Sequence, residues 1–85
     1  MSADTGIRAL VEVLARAMAD RPDEVRAVES LHRDTTLVEL YVAPSDLSKV
    51  IGKQGRTAAA LRTLAASAGE RDGKRVSLEI RDGRP

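Results

Sequence analysis

The chain has no cysteine, no tryptophan and no phenylalanine, and Tyr41 is its only aromatic residue. Without cysteine there are no disulfides, no thiolate nucleophile and no Cys-ligated zinc. Without large aromatics the core must be aliphatic, built from 20 Ile, Leu and Val side chains and 13 Ala, and no aromatic platform exists for strong base stacking. No apolar run approaches the roughly 18 residues that a membrane span needs. Nothing in the first 25 residues has the basic-then-apolar pattern of a signal peptide. The expectation is a cytoplasmic, soluble protein. His32 is the only histidine and has no ligand partners at metal spacing, so it reads as a surface residue. No carboxylate pair has a nucleophile or metal partner near it. The sequence thus predicts neither an enzyme nor a cofactor or metal site.

Acid is missing from one stretch. Residues 1–46 carry five bases and nine acids, residues 47–69 carry Lys49, Lys53, Arg56 and Arg62 with no acid, and residues 70–85 carry five bases and four acids. The formal net charge of +1 therefore hides a local positive field. Such a field suits a polyanion gripped at one site, while its structural alternative is a solvated helical face. With 85 residues the chain makes one domain, and a domain of that size buries little more than about 60% of its unfolded surface. A homodimer would relieve that thin margin.

Periodicity orders the elements. Ile7, Leu10, Val11, Leu14, Ala17 and Met18 predict a helix over about 4–19, ended by Asp20-Arg21-Pro22. Val25–His32 and Thr35–Ala43 read as strands joined at Arg33-Asp34, a hairpin turn. Val38, Leu40 and Val42 face one way along the second strand and Leu37, Glu39 and Tyr41 the other. Pro44 stops that strand, and Ser45 can cap a short helix with Leu47, Val50 and Ile51 on its apolar face. Gly52 closes it. A further helix after Gly55 is expected to bury Ala58, Leu61, Leu64, Ala65 and Ala68, with Gly69 as C-terminal cap. Residues 70–74 read as a polar loop, Val76, Leu78 and Ile80 as a last strand, and 82–85 as a frayed tail. The order α-β-β-α-α-β predicts an α+β fold: three helices on one face of a three-stranded mixed sheet, its hairpin antiparallel and its second and third strands parallel.

Val50-Ile51-Gly52-Lys53-Gln54-Gly55-Arg56 lies between the two later helices. Two glycines without Cβ let backbone approach a phosphate closely, and the amino end of the following helix offers N–H groups and partial positive charge. Lys53 and Gln54 project outward as a cation and an amide donor. Ile51, Ala58, Leu61 and the edge of strand 35–43 are candidates for the floor of a base groove. Plainer readings stand beside these: the glycines allow a tight turn, Ile51 and Leu61 belong to the core, Lys49 and Arg62 solvate helices, Tyr41 packs, and the acids of the first half are surface charge.

The I-G-K-Q-G-R-T-A run, apolar residues before it, the flanking helices and the strand order together resemble a KH domain of the bacterial type II topology, over nearly the whole chain. Its size and single domain further resemble small bacterial RNA-binding KH proteins. The resemblance implies single-stranded RNA binding through Ile51, Gly52, Lys53, Gln54, Gly55 and Arg56, with Lys49 and Arg62 in support. It also implies a homodimer, a larger KH-containing RNA-binding partner, a role as RNA chaperone or post-transcriptional regulator, and an influence on cell elongation and wall synthesis. Glu70 and Asp72 among the bases of the loop at 70–74 oppose an RNA contact there. Ala59, Ala60 and Ala66, small residues off the core stripe of the later helix, point to a symmetric self-association contact near the helix-turn-helix. The rival reading is a protein-interaction module in which the same fold serves dimerisation and the glycine turn is vestigial or forms the subunit contact. A phosphotransfer helper using Lys53 ranks lower, because the Gly-Lys pair lacks P-loop spacing and follows a helix.

Overall fold

Ile7, Val11 and Ala15 recur at helical spacing and are the buried apolar stripe of the first helix, α1 (Gly6–Met18). In the computed structural model, which describes residues 6–85, α1 is followed by strands β1 (Arg26–His32) and β2 (Thr35–Val42), helices α2 (Leu47–Ile51) and α3 (Arg56–Arg71), and strand β3 (Arg75–Asp82). Residues 4 and 5, expected to open α1, lie outside the described residues. Single 3-10 turns occupy Pro22–Glu24, Pro44–Asp46 and Lys53–Gly55. The three helices cover one face of a mixed sheet of order β1-β2-β3, β1 antiparallel and β3 parallel to β2. This is the predicted α+β architecture. No helix among the described residues is long and apolar enough to cross a membrane.

Register decides which side chains meet the helices. Thr36, Val38, Leu40 and Val42 of β2 are buried, and opposite them stand Ala27 on β1 and Leu78 on β3. Leu37, Glu39 and Tyr41 occupy the other sheet face, as a period of two requires. His32 pairs with Thr35, so the hairpin turns on Arg33 and Asp34 alone, with Arg33 in the left-handed region at φ 57°.

Several local expectations are revised. Ser45 caps nothing: Pro44–Asp46 form a 3-10 turn that α2 continues, and no side chain caps α2. Leu64 is 49% exposed, so the stripe of α3 is Ala58, Leu61, Ala65 and Gly69. Gly69 sits inside the last turn of α3, where a Cβ would stand 2.5 Å from Val76 Cγ2 and 2.9 Å from the Lys74 carbonyl. It is there for close helix–strand approach. The C-terminal stop belongs to Gly73, left-handed at φ 68°: Lys74 N–H reaches the Gly69 carbonyl at 2.8 Å and Gly73 N–H the Glu70 carbonyl at 3.0 Å. The helix thus takes Glu70 and Arg71 from the anticipated loop. The tail is anchored as far as Gly83, whose N–H donates to the Val42 carbonyl at 3.0 Å.

Two acids of the first half are structural and buried, against the expectation of surface charge. Glu12 Oε2 accepts the Ala27 N–H at 2.8 Å, and the carboxylate is paired on either side along α1, Oε2 with Arg8 at 2.9 Å and Oε1 with Arg16 at 3.2 Å. The same arginines donate to the Ala27 and Val25 carbonyls. An Arg-Glu-Arg ridge at four-residue spacing thereby closes the start of the outer strand β1, where bare backbone would invite a foreign strand. Asp46, with no exposed surface, accepts the Asp20 and Arg21 N–H groups, each at 3.0 Å. It joins the connection after α1 to the start of α2.

Those two backbone donors, Arg21 before Asp20, hold the Asp46 carboxyl below its ordinary range, against burial and with help from the Lys49 and Arg21 charges. A depressed folded pKa means stabilisation that is present above the unfolded value and lost as pH falls through the folded one. Wild type should therefore melt above Asp46→Asn by a constant margin above about pH 5, and the margin should shrink below about pH 4. Thermal melts across this range check it; a margin unchanged into acid would refute the role given to the carboxylate.

Candidate nucleic-acid interface

Helix α2 is too short to persist past a residue that no L side chain tolerates. Gly52 has φ 80° and ψ 170°, a region reserved for glycine, and its N–H closes α2 on the Ser48 carbonyl at 2.8 Å. Gln54 and Gly55 follow as consecutive left-handed residues, at φ 56° and 72°. The turn closes itself with the Gly55 N–H on the Gly52 carbonyl at 3.0 Å and the Arg56 N–H on the Lys53 carbonyl. Helix α3 then starts with no side-chain cap. The positive end of a 16-residue helix thus opens directly onto the turn.

The two glycines serve different needs. A Cβ on Gly52 would lie 2.3 Å from Thr57 Oγ1 and 2.9 Å from the Thr57 backbone nitrogen, so both its dihedral angles and the packing of Thr57 demand glycine. A Cβ on Gly55 would meet nothing within 4 Å. Only its positive φ asks for glycine, and the backbone there lies open to an incoming group.

Lys53 and Gln54 are exposed at the apex, and Arg56 Nη2 donates to Gln54 Oε1 at 3.1 Å. The outlying bases are engaged elsewhere. Arg62 Nε donates to the Leu78 carbonyl of β3 at 3.4 Å, bridging α3 to an outer strand. Lys49 Nζ donates to Asp20 Oδ2; that bond first, then the Asp20 and Asp46 charges, hold its pKa above the ordinary lysine value against partial burial. Among the described residues, no carboxylate pairs with Lys53, Arg56 or Arg62.

The expected groove floor is only partly assembled. Ile51 is half-buried and keeps surface, whereas Ala58 and Leu61 are 2% and 4% exposed and face the core. Strand 35–43 offers no edge, because β2 is central and paired on both sides. Tyr41 is on the sheet face away from the helices, its hydroxyl 3.4 Å from Glu39 Oε2, which Arg81 also meets at 3.0 Å. His32 is exposed beside Ser30 Oγ at 3.1 Å. No group of three potential metal ligands occurs among the described residues. Sequence reasoning missed Asp46, Asp20 and Thr57: the first two meet only through tertiary folding, and Thr57 matters through the space it takes from Gly52.

The asymmetry of the glycines is measurable. Gly55→Ala should cost about 1 kcal/mol, the strain of one left-handed residue. Gly52→Ala should cost about twice that or more, since a clash with Thr57 is added to strain. Equal shifts in urea midpoint would contradict this division.

The sequence model described as KhpA/KhpB, KH domain, matches residues 8–80. Among similar proteins, the RNA-binding protein KhpA of Aquifex aeolicus is 46% identical over 76 residues, covering 89% of this chain and 96% of the relative. That of Clostridium perfringens is 42% identical over 74 residues, 87% of this chain and 99% of the relative. Among solved structures, Era in complex with MgGDPNP and nucleotides 1506–1542 of 16S ribosomal RNA superposes with a TM-score of 0.64 at 17% identity, over 89% of this chain and 29% of Era. That likeness is one of fold. The glycine-built turn between two helices, the mixed sheet with its parallel β2–β3 pair, and the match over residues 8–80 lead to one conclusion: the chain belongs to the KhpA/KhpB family of KH domains.

Proposed function

We propose that this protein binds single-stranded RNA by gripping the sugar–phosphate backbone at Gly52–Gly55. The observation that carries the reading is the uncapped amino end of α3 behind the bare backbone of Gly55, with Lys53 exposed at the apex and Arg56 following. The relatives are named as RNA-binding proteins. Membership of this family makes the chain a binding domain and not an enzyme. A turn of this kind clamps about four nucleotides. It positions the strand without reading its sequence, because it addresses phosphates and not base edges. Bases would lie along the exposed part of Ile51 and toward β3, where Arg62 spans helix and strand.

Three bases, Lys53, Arg56 and Arg62, stand near the turn or α3 without a carboxylate partner among the described residues. Three phosphate contacts give a slope of log affinity against log salt near −2 for a single strand, at about −0.7 per contact. Replacing Lys53 and Gln54 together with Asp should abolish nearly all binding in fluorescence anisotropy, because two anions then stand where phosphate must sit. The same variant should keep its melting temperature and its sedimentation behaviour, since both positions are exposed. Unchanged RNA affinity would refute the site, and altered assembly with intact RNA binding would favour the interaction-module reading.

A further inference from the structure

Among the four bases of the acid-free segment 47–69, Lys49 is the one that meets a carboxylate within the described residues. Its partner, Asp20, comes from the connection after α1, 29 positions earlier in the chain. Both side chains are at the surface, Lys49 47% and Asp20 71% exposed. An ion pair that exposed adds little to stability. Its place in the fold is nonetheless fixed from a second direction, because the Asp20 backbone N–H is bonded to the buried Asp46 carboxylate that begins the α2 segment. The carboxylate of Asp20 is thereby carried beside α2 whether or not Lys49 holds it.

Lys49 precedes Gly52, the first residue of the turn, by three positions, about 4.5 Å along the axis of α2, whose last hydrogen bond the Gly52 N–H makes to the Ser48 carbonyl. That is inside the Debye length, about 8 Å at physiological salt. A phosphate at the Gly52–Gly55 turn therefore feels both charges of the pair. We infer that Asp20 is an internal competitor for Lys49, an affinity-setting residue that occupies with a carboxylate the cation a phosphate would otherwise take. The inference rests on the turn being the RNA site. While Lys49 pairs with Asp20 it neutralises no phosphate, so it displaces none of the counterions condensed on the RNA and adds nothing to the salt slope. The positive segment thus works with three of its four charges.

Asp20→Asn removes the competing charge and keeps the backbone donor to Asp46, so fold and melting temperature should hold; Asp20→Ser serves as a second variant with the same property. Binding of a short single-stranded RNA at low salt should tighten about 3- to 10-fold, and the slope against log salt should steepen by about 0.7, the value of one added phosphate contact. Asp23→Asn, the same change of charge in the same connection, should leave both unchanged. Adding Lys49→Gln to Asp20→Asn should remove the gain. If Asp20→Asn matches wild type, or is no better than Asp23→Asn, while Lys53→Asp with Gln54→Asp still abolishes binding, the competitor role is overturned and the RNA site stands. Binding indifferent to the substitutions at the turn would overturn the site, and the competitor role with it.

Discussion

A single buried carboxylate holds the helix-turn-helix of this protein in place. Asp46 accepts two backbone N–H groups from residues 20 and 21, so the connection leaving α1 is tied to the first residues of the helix-turn-helix. Helix α2 has only five residues, too few to be stable by its own hydrogen bonds. It owes its position to Val50 in the core at one point and to Asp46 at the other. Removing that carboxylate would leave two backbone donors at a part-buried site without their acceptor. The turn at Gly52–Gly55 inherits its direction from that tie.

Electrostatics in this small domain are used mostly for architecture. Glu12 and its two arginines seal the outer strand β1, Arg81 reaches Glu39 across the open sheet face, and Asp20 takes Lys49. Once those pairs form, the positive field contracts from the whole segment 47–69 to Lys53 and Arg56 at the turn and Arg62 further along α3. So few charges would give the proposed RNA clamp a modest, salt-sensitive grip. Backbone geometry supplies the rest: glycine dihedrals that other residues rarely adopt, and an amino end of α3 that no side chain caps.

Much of this was legible in the residues. The 3.6-residue stripe of Ile7, Val11 and Ala15, the alternation of Val38, Leu40 and Val42, and the Gly52–Gly55 pair between helical patterns each report a local rule, and each element forms where its rule points. The failures have one cause. Gly69 looks like a terminal cap until β3 packs against it, Leu64 looks like core until α3 is rotated by its other contacts, and strand 35–43 looks like an edge until β3 pairs with it. Asp46 follows Pro44 and Ser45 as a turn residue should, and nothing nearby announces donors 25 and 26 positions upstream. Long-range polar bonds have no period, so no sequence pattern carries them. That is also why Lys49, equal to Lys53 in the sequence, stands apart from it in the fold.

The most direct test is a residue-resolved titration of the protein with a single-stranded RNA of four nucleotides, followed by backbone amide chemical shifts. If the glycine turn grips RNA, the largest shifts fall at Gly52–Thr57, weaker ones along α3 toward Arg62 and at Leu78, and little changes on the sheet face that carries Leu37, Glu39 and Tyr41. Shifts concentrated on that sheet face, with the glycine turn silent at saturating RNA, would contradict it.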